Sequence, residues 1–326
     1  MAQGGCAKPL DVVLSINMTI KPLTLALVLA LPTPAFGWGE QGHRLIGMLA
    51  EKRLRSDPNM DQKLTALLGP DVHLGRLALC ADEIRGFVRD VKQGNPGLLP
   101  SGCFLTREEI LADFDKTDNW HFINIPLAAN GADTPHTTEV LRAACDAKPL
   151  CVADQIRFFQ GQLVDPALPA KTRRVALMFL THLIGDVHQP LHSTARAGDA
   201  GGNIVFLNFF SQVQKLHQVW DTSIISHINS PTNNGPLSDS ELVELLTANP
   251  GPAPATGFDP QAWVFESFDA ARGTAYKGLP NRQNNQSNPI KLKSAYQTAG
   301  APVVRARLVA ASVRLADVIA AALNAQ

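Results

Sequence analysis

A chain of 326 residues, 45% hydrophobic and 18% charged, holds enough apolar side chain for one large core or two modest ones. Its 29 basic and 29 acidic residues cancel to a formal net charge of zero. That balance excludes a general electrostatic attraction to nucleic acid or to anionic membranes, so an anionic ligand must be drawn by a local feature.

In chain order, the first pattern begins at Met18. MTIKPLTLALVLALPTPAFG sets Lys21 before an apolar Leu23–Leu31 core, followed by Pro32 and Pro34. Ala35 and Gly37 place small residues at positions −3 and −1 of a cut before Trp38, the pattern of a cleaved secretory signal peptide. An apolar core of about nine residues is too short for the roughly 30 Å of bilayer hydrocarbon. Residues 1–37 are therefore read as a leader starting at Met18, and 38–326 as one domain that is secreted or periplasmic.

Beyond Trp38 the periodicity is helical almost throughout. EQGHRLIGMLAEKRL spaces Leu45, Ile46, Leu49 and Leu54 along one helix face, and helices are expected over Asp61–Leu68, Arg107–Phe114, Thr138–Ala144 and Val152–Leu163. Arg173–Val187 follows, then Asp239–Leu246 behind a Ser238/Glu241 capping box, Gln261–Ala275 and Val303–Leu323. Only IVFLNFF, Ile204–Phe210, has strand character, enough for at most one small β-hairpin. The Pro/Gly-rich stretches Asn249–Pro260 and Gly278–Pro289 read as surface loops. The expectation is a single-domain, all-α fold.

Export gives the cysteines meaning. With Cys6 in the leader, Cys80, Cys103, Cys145 and Cys151 form an even set in an oxidising compartment. Of the three pairings that four cysteines allow, the short loop Cys145–Cys151 with Cys80–Cys103 is favoured. A cysteine zinc site is the rival, but no CxxC pair supports it.

The stretch HLIGDVHQPLH, His182–His192, carries three histidines and an aspartate directly after the apolar run VALMFLT. His182 and Asp186 stand at i, i+4, about 40° apart on one helix face. LHQVWD repeats that spacing with His217 and Asp221, and His192 stands just past Pro190. Asp82 lies among apolar neighbours in ALCADEIRG, and His121 in the aromatic setting of DNWHFINIP. A single HxxxD more often reflects an aspartate that orients a core histidine. Two copies with further histidines, all nitrogen and oxygen donors without thiolates, suit zinc in a hydrolytic site.

WGxxGH at Trp38, then ADxIR, WHFxN, HxxGDxHQPLH, GDxGGN and LHxVWD, occur in that order. Together they resemble the single-strand-specific nucleases of fungi and plants, the S-one/P-one type. That family has bacterial relatives, among which this chain reads as one, and shares a fold with zinc phospholipase C. The likeness continues through WxxES at Trp263–Ser267 to RLADVIAAALN at Arg314–Asn324.

The resemblance implies three zinc ions per chain. One would be held by Asp82, His121, His182 and Asp186. The second would take the α-amine and carbonyl oxygen of Trp38, with His43 and a bridging Asp186. The third would take His192, His217 and Asp221. His188 is read as packing behind the ligands. Catalysis would rest on Asp82, Asp186 and Arg85: a zinc-bound hydroxide attacks phosphorus in line, and Arg85 neutralises the transferring phosphate. Single-stranded DNA and RNA would give 5′-phosphorylated nucleotides, and 3′-mononucleotides would be dephosphorylated at the same site. A base would stack on Phe122, its edge read by Asn124 and Asn203. No stable protein partner is implied, and a monomer is expected. The chain departs from the family at Asn124 (Asp in fungal members), Cys80 (usually Trp) and Ala200 (commonly basic), which bears on specificity. Two alternatives stand beside the nuclease: a phospholipase C of the same fold and a non-catalytic zinc-binding secreted protein. GDxGGN and Arg85 favour nucleotides over lipid.

Overall fold

The computed structural model describes residues 38–128, 133–228, 236–281 and 284–325, together with Met1. The leader expected over residues 1–37 falls, Met1 apart, outside the described residues.

Helix α1 (Glu40–Arg55) buries Leu45, Ile46, Ala50 and Leu54, and its end charges, Glu40 first and Lys52, Arg53 and Arg55 last, oppose the helix dipole. α2 (Pro58–Leu68) starts under Asp57, whose side chain accepts the Asn59 N–H, with Pro58 where a missing N–H costs nothing. One turn, α3 (Leu74–Leu77), leads into α4 (Cys80–Lys92), which buries Ala81, Ile84, Phe87 and Val88. Then come α5 (Arg107–Asp113), capped reciprocally by Thr106 and Glu109, α6 (Thr138–Ala147), α7 (Val152–Val164) and α8 (Ala170–His188). α9 (Leu216–Gln218) and α10 (Ile224–Ser226) flank a wide π-type turn. α11 (Asp239–Ala248) carries the expected Ser238/Glu241 capping box, and α12 (Pro260–Ala270) and α13 (Ser294–Asn324) complete the set.

α8 is the axis of the fold. Every residue from Val175 to His188 is buried, so this helix needs neighbours on all sides. α7, α13, α12, α1 and α4 supply them. Among the described helices, none is long and apolar enough to cross a membrane.

The fold is all-α, and among the described residues strands are confined to two small sets. The hairpin expected near Ile204–Phe210 is β3 (Phe206–Phe209) paired antiparallel with β4 (Gln212–Lys215). Its turn puts Phe210 and Ser211 at φ 47° and 64°, the double left-handed geometry of a tight two-residue hairpin. β5 (Ile290–Lys291) adds parallel to β3, and β1 (Ile125–Leu127) pairs parallel with β2 (Thr194–Arg196). Strands of two or three residues are too short to show an alternating pattern, so periodicity did not reveal them.

Among the longer helices, α4 and α13 depart most from expectation. α4 was not anticipated as a helix, because Gly86 and the acidic pair Asp82–Glu83 interrupt its apolar residues. α13 begins nine residues before Val303 and runs through Pro302. Proline deletes one backbone bond; here Gln297, whose amide donates to the Ile224 and His227 carbonyls, ties down the earlier turn.

Cys80–Cys103 and Cys145–Cys151 are disulfides, as favoured. The first closes 23 residues and the second 6. Loop closure makes them worth about 3 and about 2 kcal/mol respectively. Replacing Cys80 and Cys103 with serine should therefore lower the urea midpoint more than replacing the other pair, and an inverted order would show that strain or residual structure dominates.

Candidate metal centre

The buried end of α8 delivers His182 and Asp186, both fully shielded from solvent. His182 donates its Nδ1–H to the Ala78 carbonyl at 2.6 Å, which orients the ring and turns Nε2 toward Asp186 Oδ2, 3.0 Å away. The turn Asp118–His121 brings in His121, with Nδ1 2.9 Å from the same oxygen and 3.0 Å from His182 Nε2. The first turn of α4 adds Asp82, whose Oδ1 stands 3.7 Å from His121 and 3.8 Å from His182.

α1 contributes His43. Its ring stacks on His182 at 3.8 Å, and Nε2 lies 3.5 Å from Asp186 Oδ1. Gly185 makes that approach possible, because a Cβ there would stand 3.0 Å from His43 Nδ1. Trp38 is fully buried ahead of α1, and the next residue, Gly39, donates its N–H to the Asp221 carbonyl at 2.9 Å.

A second concentration lies beside the first. His192 Nε2 and His217 Nε2 are 3.1 Å apart, and Asp221 Oδ2 is 3.6 Å from the latter. Carbonyls again set the rings: His192 donates Nδ1–H to His121 O at 2.7 Å, and His217 donates Nδ1–H to Gly201 O at 2.6 Å. Gln189 donates to Asp221 Oδ1 and accepts the Leu191 N–H.

The structure thus gathers His43/His182/Asp186, Asp82/His121/His182 and His192/His217/Asp221, each with its donor atoms within 4.8 Å of one another. Several of these atoms have no hydrogen-bond partner though buried: both nitrogens of His43, Nε2 of His121 and Oδ1 of Asp82 and of Asp186. Asp82 Oδ1 faces Arg85 Nη2 at 2.9 Å as an ion pair without hydrogen-bond alignment. Buried polar atoms are rarely left unsatisfied, and here Asp82 Oδ1 and Asp186 Oδ1 each face a ring nitrogen of the cluster, 3.7 Å from His121 Nδ1 and 3.5 Å from His43 Nε2 respectively. A cation ligated there would satisfy them, so the donor set fits a metal.

Charge follows the same geometry. Burial alone would raise Asp186, yet His182 and His192 hold it well below the usual carboxylate range. Burial likewise opposes ionisation of Asp82, and Arg85 and His182 outweigh it. His182 resists its own burial because Asp186 and Asp82 push it up to about 9. Burial, with the His182 charge beside it, drives His43 down to about 4, and burial with His192 drives His217 down to about 3. Burial pushes Asp221 well above its ordinary value. A metal ion held by these residues would reverse that last penalty and would compete with the proton on His182.

A cavity of about 230 Å³ opens onto the cluster. Arg85, Phe122, Asn124 and Asn203, the residues expected to contact substrate, all line it. Asn203 donates its side-chain amide to the Ala200 carbonyl at 2.9 Å, within a left-handed turn. Lys148 is a wall residue that sequence reasoning missed; its place inside the Cys145–Cys151 loop was the available signal. A larger cavity of about 690 Å³ lies past Trp120, lined by Phe114, Phe158 and Phe159. It borders none of the clustered donors, so the chemistry belongs to the smaller one. His188 stands outside the three groups, donating to Ile184 O and held by Arg314 at 2.8 Å.

Comparison with known proteins accords with this geometry. The family model described as S1/P1 Nuclease matches residues 38–324. Endonuclease 2 of Arabidopsis thaliana is 26% identical over 319 residues, covering 92% of this chain and 95% of the relative. Nuclease S1 of Aspergillus oryzae is 26% identical over 204 residues, covering 61% and 58%. Nuclease P1 of Penicillium citrinum is 38% identical over 72 residues, covering 22% and 26%. With its family match spanning every described element and all of the clustered donors, the chain belongs to the S1/P1 nuclease family, and it is a nuclease that hydrolyses phosphodiester bonds.

Proposed function

We propose that this nuclease is a secreted, zinc-dependent enzyme that cuts single-stranded DNA and RNA to 5′-phosphorylated nucleotides and removes phosphate from 3′-mononucleotides. The observation that carries the reading is the set of buried, unpartnered donor atoms on His43, Asp82, His121 and Asp186. Nitrogen and oxygen donors without thiolate suit Zn²⁺. Three ions would be held by Asp82, His121, His182 and Asp186; by Trp38, His43 and Asp186; and by His192, His217 and Asp221. Zinc so bound supplies Lewis-acid stabilisation of phosphate charge and acidifies a coordinated water.

The chain's own residues do the rest. Arg85, fixed by Asp82 at 2.9 Å, presents its guanidinium at the cavity where it can pair with the phosphate being transferred. Phe122 supplies a stacking face, and the Asn124 and Asn203 amides offer donors and acceptors to a base edge. A platform of this kind in a cavity of about 230 Å³ needs a base that has left its stack, which supports a preference for single strands. The two disulfides and the leader pattern support export.

The deciding assay compares release of acid-soluble nucleotides from single-stranded DNA, duplex DNA and a choline phospholipid, before and after chelation. Chelator-sensitive release from single strands, with duplex and lipid left intact, is expected; lipid hydrolysis instead would establish a phospholipase. Phe122→Ala should keep the zinc content and raise KM for oligonucleotides about 5- to 100-fold, the worth of one stacked base. An unchanged KM would remove Phe122 from the platform.

A further inference from the structure

A polynucleotide offers more than the one phosphate that is cleaved, and α4 leads away from the metal centre with its cations in line. At about 100° per residue, Arg85, Arg89 and Lys92 fall within about 60° of one another on the helix. Glu83 and Asp90 lie on a different side, and Glu83 is taken up by Arg76 at 2.7 Å. With a rise of about 1.5 Å per residue, Arg89 stands roughly 6 Å and Lys92 roughly 10 Å beyond Arg85 along the axis. Steps of about 6 Å and about 4.5 Å along the axis set three long cationic side chains in a row, each able to reach a different phosphate of one strand.

The face is concave. Arg85, Arg89 and Lys92 line a groove of about 280 Å³ whose far wall comes from Asp115, Thr117 and Asp118, in the segment that leads to His121. Arg85 also lines the cavity at Phe122, so the two spaces meet at the residue beside the metal cluster. The groove has no aromatic wall; its other linings are Val88 and Gln93. Lys92 sits 3.6 Å from Asp115 Oδ2 and donates to the Asp115 carbonyl at 2.5 Å, which offsets one of the acids opposite while leaving an exposed ammonium with further donors.

We propose that this groove is a track for the sugar–phosphate backbone of single-stranded nucleic acid, in which Arg89 and Lys92 contact phosphates flanking the one cleaved. The inference rests on the nuclease reading and deepens it: the cavity at Phe122 takes a base, while the groove takes backbone charge regardless of sequence. In a chain of zero net charge, such a local stripe is what draws a polyanion. Polymers are thereby bound better than mononucleotides, which reach only as far as Arg85.

The test uses the mature, zinc-loaded chain, its Arg89→Gln/Lys92→Gln variant, and Arg53→Gln on α1 as a charge control. KM is measured for an oligothymidylate of about twelve residues and for a 3′-mononucleotide over a series of salt concentrations. Binding of a fluorescein-labelled oligothymidylate is followed in parallel by anisotropy in EDTA, where no cleavage occurs. The double variant should raise the ratio of oligonucleotide to mononucleotide KM about 4- to 25-fold, at about 2- to 5-fold per exposed charge. Its plot of log affinity against log salt should flatten by about 1.4, or about 0.7 per cation. An unchanged ratio and slope would overturn the proposal, as would an equal rise in both KM values or an equal effect from Arg53→Gln. Should the parent protein cut no single-stranded DNA, the functional reading fails, while the salt slope in EDTA still decides the groove.

Discussion

Replacing Asp186 with asparagine is expected to cost more activity than any other single substitution in the site, about 10³-fold or beyond. Both carboxylate oxygens are committed. Oδ2 stands 2.9 Å from His121 Nδ1 and 3.0 Å from His182 Nε2, while Oδ1 stands 3.5 Å from His43 Nε2 and 3.3 Å from His192 Nδ1. An amide of the same shape removes the negative charge and points N–H groups at these nitrogens. Loss of an outer-sphere partner of a metal ligand costs about 10- to 100-fold, and a ligand shared by two ions should cost more. Elemental analysis of Asp186→Asn should show fewer than three zinc ions per chain, with helicity retained. A variant with full zinc and near-parental turnover would mean that Asp186 does not bridge.

The second large effect is expected at the start of the mature chain. A protein beginning at Trp38 should be active, and one beginning Gly-Trp38 should lose the second zinc and fall about 100-fold or more. A ligand at Trp38 requires a free α-amine, which titrates near 7.7–8.0 and yields its proton to metal at neutral pH. Behind even one added residue that nitrogen is an amide, its lone pair delocalised into the peptide bond. The segment cannot slide to compensate: Trp38 is fully buried, and Gly39 is tied to the Asp221 carbonyl at 2.9 Å. Leader removal would then switch the enzyme on as well as release it. Mass spectrometry to confirm both N-termini, followed by zinc content and nuclease rate, decides the matter; equal values for the two proteins would take Trp38 off the ligand set.

The clustering of these donors was legible because part of their spacing is covalent. His182 with Asp186 and His217 with Asp221 are each four residues apart, so any helix there brings each pair to one face. How the two pairs meet was not legible from spacing alone; order and resemblance supplied it, and the structure supplies a local cause in Gln189, which follows the last residue of α8 and donates its side-chain amide to Asp221 Oδ1. α4 was missed as a helix although Ala81, Ile84, Phe87 and Val88 recur at helical intervals, since the polar residues between them are the ones the site and its flank use. The helix expected over Val303–Leu323 instead begins at Ser294 and runs through Pro302. Lys148 was missed because its place inside the Cys145–Cys151 loop was the one signal, and where that loop packs against the cavity is not set by local pattern.

The short parallel pair β1–β2 has a consequence for how the site fills. Just ahead of it the two segments are latched in both directions: His192 donates from its ring to the His121 carbonyl at 2.7 Å, and the His192 carbonyl accepts from Ile123 N–H at 2.8 Å. His121 belongs to one cluster and His192 to the other, so an ion that fixed either ring would also fix the turn carrying its counterpart. Whatever ordering the first ion imposes need not be repeated for the next, which makes loading cooperative. Intermediates carrying a partial complement of metal should then be scarce, and titration of zinc into the chelated chain should be sigmoidal, passing between empty and full over a narrow range of free ion.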